Sequence, residues 1–300
     1  MKTFLQVIAI GLSQGAVYAL VALGITLIFR TTRILNFAQG QILMVAVFVS
    51  LTLNQNALKS IPLPIAWLIG IGVAVGLGVL IELGVRPTLK HSGSLGWILA
   101  TVGMATIIQF IAPYFWPADD RLYPSPFPND RGIPGLGSLF SQRQIFTIVA
   151  AFLLMLGVDW LYNKTKLGRA MKAVAIDRDA AALMGISAKA TVRWAFILSA
   201  ALTAIAGFLV APLTFANIAM GFDLGVKGFV AAVLGGIDSA RGAIAGGIML
   251  GIFEAALPQV LDLVSPNLAK YPLPFVFALF ILVLVFRPQG IFGTAIREAR

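Results

Sequence analysis

MKTFLQVIAIGLSQGAVYALVALGITLIFR, residues 1 to 30, decides the fold class. Between Lys2 and Arg30 the run carries no charge. At about 25 residues, or roughly 37 Å at helical rise, it is long enough to cross the hydrocarbon of a bilayer. Its start superficially resembles a secretory signal, but that length reads as a retained first helix.

Composition extends this reading to the whole chain. Of 300 residues, 59% are hydrophobic and 11% charged, and the mean hydropathy is +0.93, which excludes a pair of soluble domains. Inside lipid every backbone amide must be satisfied, which leaves helices or a closed barrel. Barrel alternation is missing, so the expected fold is an all-α integral membrane protein, a polytopic helical bundle of eight or nine spans. Apolar runs place candidate spans at 5–29, 34–53, 63–84, 95–116, 144–161, 193–216, 225–237, 243–258 and 272–286. The stretch 225–237 is too short for an upright crossing and is expected to be a short or broken helix.

A polar island interrupts the pattern from Tyr162 to Trp194. It holds seven of the 22 basic residues, against Asp177 and Asp179 only. Leu167, Met171, Val174 and Ala175 recur at helical spacing on one face, and Ala180, Leu183 and Met184 on another, so the island is expected to be a built loop of short amphipathic helices. Taking it as cytoplasmic, the short loops around Arg30 and Arg33, Arg86 to His91, Asp238 and Arg241, and Arg287, Arg297 and Arg300 fall on the same side. The opposite loops, including the proline-rich Pro117 to Arg143 with Pro117, Pro124, Pro126, Pro128 and Pro134, fall outside with the N-terminus. Lys2, at the N-terminus, is the basic residue that runs against this orientation. The net charge of +10 therefore reports membrane orientation, and nucleic acid is not an expected partner.

Glycines four apart (Gly11 and Gly15, Gly72 and Gly76, Gly242 and Gly246, Gly247 and Gly251) predict close helix crossings. At an offset of 185 residues, Leu35 to Ser50 aligns with Met220 to Gly235, matching Phe37 with Phe222, Gly40 with Gly225 and Ala46 with Ala231. The expected topology points the two copies in opposite directions, as in the inverted repeats of transporters. The chain is thus read as one transmembrane domain over 1–300, with a first repeat at 5–116, the external loop at 117–143, the cytoplasmic loop at 162–193 and a second repeat at 193–286.

Enzymatic chemistry has little to work with. The chain has no cysteine, its single histidine (His91) lies in a loop, and no phosphate loop, HExxH or GxSxG is present. Polar candidates inside the apolar runs are Asn36, Gln39 and Gln41 beside Gly40, then Asn217, the flexible pair Gly235 and Gly236, and Glu254. A broken helix there exposes backbone groups to a polar solute, and ordinary helix capping explains the same amides. Glu82 is expected to pair locally with Arg86, and Asp223 with Lys227.

The segments Gly15 to Gly40, Lys172 to Ser187 (KAVAIDRDAAALMGIS), Gly225 to Leu257 and Phe286 to Gly293 (FRPQGIFG) together resemble the integral membrane permeases of ABC importers for branched-chain and related amino acids. The resemblance implies a plasma-membrane subunit of an ATP-driven importer. It would be paired with a second permease subunit in a heterodimer, powered by two cytoplasmic ATPases that bind the ATP and Mg, and supplied by an external substrate-binding protein. This chain itself would hold no cofactor, catalytic residue or metal. Lys172, Asp177, Arg178, Ala181 and Gly185 would form the ATPase coupling loop, and Asn36, Gln39, Gly40, Asn217, Gly235, Gly236 and Glu254 the translocation pathway. Ile176 departs from the acidic or amide residue frequent in relatives. Urea or short-amide permeases share similar motifs, and an ATP-independent carrier or channel is the alternative from another class.

Overall fold

The computed structural model describes residues 2–57, 61–90, 95–127, 140–265, 267, 272–287 and 289–293. His91, Pro128, Pro134, Arg297, Arg300 and the side chain of Lys2 lie outside the described residues.

Eleven α-helices are described: α1 (Lys2–Thr32), α2 (Gln39–Thr52), α3 (Leu63–Val85), α4 (Gly96–Phe115), α5 (Gln142–Lys164), α6 (Lys166–Ile176), α7 (Arg178–Leu183), α8 (Ala188–Val210), α9 (Met220–Gly235), α10 (Ala240–Val264) and α11 (Pro272–Phe286). Six of them, α1, α3, α4, α5, α8 and α10, are long and apolar enough to cross a membrane. Helix α1 is the axis. In its most apolar window 78% of residues are buried, against 11% in α4, so α1 packs on protein while α4 faces outward.

Several expected boundaries change, with α9 starting at Met220 instead of 225 and α8 ending at Val210 instead of 216. The stretch 34–53 is not one helix, because residues 34–38 are irregular and α2 begins only at Gln39. Helix α10 runs through Pro258 to Val264 instead of stopping at 258. The island shrinks at both ends, since α5 continues to Lys164 and α8 begins at Ala188.

Glycine crossings hold the centre together. Gly11 and Gly15 of α1 lie against the Gly247 to Ile252 stretch of α10, and Gly242 and Gly246 of α10 lie against Gly235 and Ala231 of α9. The expectation fails for Gly72 and Gly76, whose missing side chains face open space because that side of α3 points away from the bundle.

The two helices aligned by the 185-residue offset pack on one another. Gly221 sits against Met44, and Gly225 against Gly40, so α2 and α9 run in opposite directions and overlap at their first turns. Helices α1 and α8 are likewise antiparallel: Leu27 packs near Ala195, and Ser199 reaches Gly24.

Contacts also gather the loops into two ends. At the island end, Arg33 pairs with Asp238 at 2.5 Å, the Arg30 guanidinium lies 4.0 Å from the centre of the Tyr162 ring, and Glu82 holds Arg86 at 2.7 Å and Arg193 at 3.5 Å. At the proline-rich end, Arg121 bridges to Ala216, Trp116 donates to Thr52, and the Tyr123 hydroxyl sits 2.6 Å from Ser50 and accepts from Trp67. This buried hydroxyl is held neutral: loss of hydration pushes the Tyr123 pKa up to about 12.

Candidate functional site

The break before α2 is built from short-range hydrogen bonds. Thr31 and Thr32 donate back to the carbonyls of Leu27 and Ile28, and Arg33 then takes a left-handed turn with φ 61° that ends α1. Asn36 accepts the Ala38 N–H at 3.1 Å and donates to Gln39 Oε1 at 3.2 Å. Gln39 in turn donates to the Ser199 hydroxyl at 2.6 Å and to Thr203, while Ser199 donates to the Gly24 carbonyl at 2.8 Å. A buried amide thus ties the start of α2 to α1 and α8, and its own polarity is satisfied.

Beneath Gln39 the backbones meet. A methyl group on Gly40 would overlap the Gly221 carbonyl oxygen, so only glycine lets α2 and α9 cross there. Beside this crossing lies a cavity of about 250 Å³, walled by the α1–α2 break, α4 and α9. Asn36, Gln39 and Gln41 line it from one side, and Thr106 and Gln109 from α4. Hydrocarbon from Leu35, Val102, Phe110, Val226 and Phe229 forms the rest. A second cavity of about 440 Å³ adjoins it, sharing Gln109, Phe222 and Val226, and reaches Asp223 and Lys227.

Lys227 is the residue the sequence undervalued. It bonds Asp223 at 2.9 Å, the expected i, i+4 pair, but also Glu254 of α10 at 2.8 Å, with Tyr18 of α1 facing the ammonium at 5.6 Å. Glu254 therefore closes an ion cluster and does not itself line either cavity. Gln109 and Thr106 went unnoticed as well. The available signal was a lone amide in the apolar run TIIQFIA.

The remaining pathway candidates lie elsewhere. Asn217 accepts the Met220 N–H at 2.7 Å and donates to Asp120 at 3.0 Å, joining the start of α9 to the proline-rich loop. Gly235 and Gly236 sit at the island end, where Gly235 abuts Gly242 and Gly236, at φ 103°, abuts Gly290 and Gly293. There Ile291 and Phe292 donate to the carbonyls of Leu234 and Gly235.

Each helix of the island has its own cap: Thr165 accepts from Gly168 before α6, Asp177 from Asp179 and Ala180 before α7, and Ser187 from Ala190 before α8. Helix α7 ends in a Schellman turn, with Ile186 N–H bonding Ala181 O and Gly185 N–H bonding Ala182 O, which puts Gly185 at φ 77°. Met171 and Val174 are buried, as the expected face requires. Ala181 is buried too, so it packs inward and cannot meet an outside surface. The outward face is Ile176 (87% exposed), Leu183 (89%) and Met184 (82%). Lys172 donates to Asn163 at 2.9 Å, and Arg178 to the Thr32 carbonyl at 3.2 Å, which joins α7 to the last turn of α1.

Residues 7–284 match the family described as branched-chain amino acid transport system / permease component. The high-affinity branched-chain amino acid transport system permease protein BraD of Pseudomonas aeruginosa is 33% identical, over 97% of this chain and 96% of its own length. The corresponding LivH of Escherichia coli is 32% identical over 97% and 96%. The probable branched-chain amino acid transport permease LivH of Methanocaldococcus jannaschii is 30% identical over 91% and 88%. No solved structure matches the chain.

Proposed function

The chain belongs to the branched-chain amino acid transport permease family, and on that premise we propose that it carries branched-chain or other neutral amino acids through the cavity between α2, α4 and α9 in an ATP-driven importer. The observation that carries the reading is the crossing at Gly40. Two short helices begin there beside a cavity with polar amides on one side and hydrocarbon on the other. Broken helices of this kind place backbone polarity at depth only where it lines a cavity.

Two ATPases, which hold the ATP and Mg, dock on the cytoplasmic island. Ile176, Leu183 and Met184 form the apolar contact, with Asp177 and Gly185 setting the shape of α7 and Lys172 and Arg178 bracing it. Arg178 passes their motion to Thr32 and so to the break that leads into Asn36 and Gln39. The C-terminal segment lies on the same cytoplasmic side. A second permease subunit covers outward apolar faces of the bundle, and an external binding protein docks at the proline-rich end. The test is reconstitution in liposomes. Leucine uptake should require ATP and the partner ATPases, and uptake by this chain alone without ATP would overturn the reading.

A further inference from the structure

Two buried acceptors in the first cavity are idle. Among the described residues Gln41 Oε1 and Gln109 Oε1 have no hydrogen-bond partner, and Gln41 is only 4% exposed. Both side chains line the cavity. Unpaired buried oxygens are rare because an unmet acceptor loses its hydration without replacement. The same wall holds the first turn of α2, whose N-cap, Ala38, offers no side-chain acceptor and which contains no acidic residue. That turn carries partial positive charge. The site therefore presents acceptors for a donor group, a positive pole for an anion, and an apolar wall from Val102, Phe110 and Val226.

We propose that this cavity is a subsite for the zwitterionic head of an aliphatic α-amino acid. The ammonium donates to Gln41 Oε1 and Gln109 Oε1, the carboxylate faces the first turn of α2, and the side chain lies along the hydrocarbon. Gln39 takes no part in reading the ammonium, because its amide is committed to Asn36, Ser199 and Thr203. The ammonium is what separates this cargo from urea and from neutral amides. The inference rests on the proposed function and adds to it which atoms read the substrate.

The absence of cysteine from this chain supplies the test. Ala105, on the cavity wall, is replaced by cysteine in the complete importer, reconstituted in nanodiscs and in liposomes, and its labelling by a methanethiosulfonate reagent is timed. L-leucine at about ten times its dissociation constant should slow labelling about tenfold by mass action. Its deaminated analogue, 4-methylpentanoate, should leave the rate unchanged at the same concentration. Gln41→Leu and, independently, Gln109→Leu should abolish protection by leucine, whereas Gln41→Glu, which keeps an acceptor, should retain it. Thermal melting checks that each variant is folded, so either leucine variant alone suffices. Equal protection by the two compounds, protection surviving both substitutions, or no protection in a preparation that takes up leucine would each overturn the subsite. Failure of the unsubstituted complex to take up leucine would strike the proposed function instead.

Discussion

Gly40 and Gly185 are glycines for opposite reasons. Gly40 has an ordinary helical backbone and no room for a side chain, because the Gly221 carbonyl lies where a methyl would go. Gly185 has open space around it and a backbone at φ 77° that L side chains rarely adopt. The first belongs to a region made by long-range packing, the second to one made by local capping. A region of the first kind fails as a whole when one contact is lost. A region of the second kind gives way locally and leaves the bundle intact.

Substitutions at the two sites should separate accordingly. Gly40→Val should have the largest effect: overpacking against backbone costs about 3 kcal/mol or more, so the purified protein should melt far below the unsubstituted form or fail to accumulate. A near-native melting temperature would show that α2 and α9 can separate, and would break the contrast. Next comes Lys227→Met, which strands the largely buried Glu254 carboxylate without its cation at a cost of about 3 kcal/mol. Adding Glu254→Gln should recover part of the lost thermal stability. If it does not, Glu254 draws its partner from elsewhere.

At the island, Leu183→Asp should lower ATP-driven uptake about tenfold, equivalent to about 1.4 kcal/mol of coupling, while exposed placement keeps the change in stability within about 0.5 kcal/mol. Unaltered uptake would detach the exposed apolar face from the ATPase contact. Gly185→Ala should destabilise α7 by about 1 kcal/mol through the left-handed turn alone, read as faster hydrogen exchange at Met184 to Ile186 with the bundle unaffected. A matching loss in α2 would erase the distinction between the regions.

The smallest effect belongs to Tyr123 at neutral pH, where Tyr123→Phe should cost about 1 kcal/mol for its bonds to Ser50 and Trp67. In alkali the sign follows from the raised pKa. The unfolded phenol ionises near 10 and the folded one near about 12. The stability the neutral phenol gives is therefore complete below pH 10 and is lost between pH 10 and 12. Alkaline melting curves of the Phe variant should lack that component.

Much of this was legible because apolar runs and charge spacing are local properties. Residues 5–29 announced α1, the basic loops sorted themselves onto one end, and the alternation of Leu167, Met171 and Val174 foretold the buried face of α6. Local reading erred where a short-range pattern had a long-range partner. Lys227 looked complete with Asp223 four residues away, yet its other bond goes to Glu254 on a different helix. Asn36 and Gln39, singled out beside Gly40, lie on the cavity wall. Gln109 was not, since a lone amide in a helix gives no sign of the cavity it will face. Asn217, Gly235 and Gly236 share the residue types of the break before α2, but a cap at the proline-rich end and a packed turn at the island end use the same residues.

The sequence by itself determined a membrane-spanning helical bundle, its alternation between two ends and its polar island, because hydrophobic length, charge and capping act over one or two helical turns. Only the tertiary structure decided that Gly40 would rest on Gly221, that Gln39 would spend its amide on Ser199 and Thr203, and that Gln41 and Gln109 would be left with idle acceptors. Those outcomes depend on which residues far apart in the chain are pressed together when close-packed helices cross, and no local pattern records that choice.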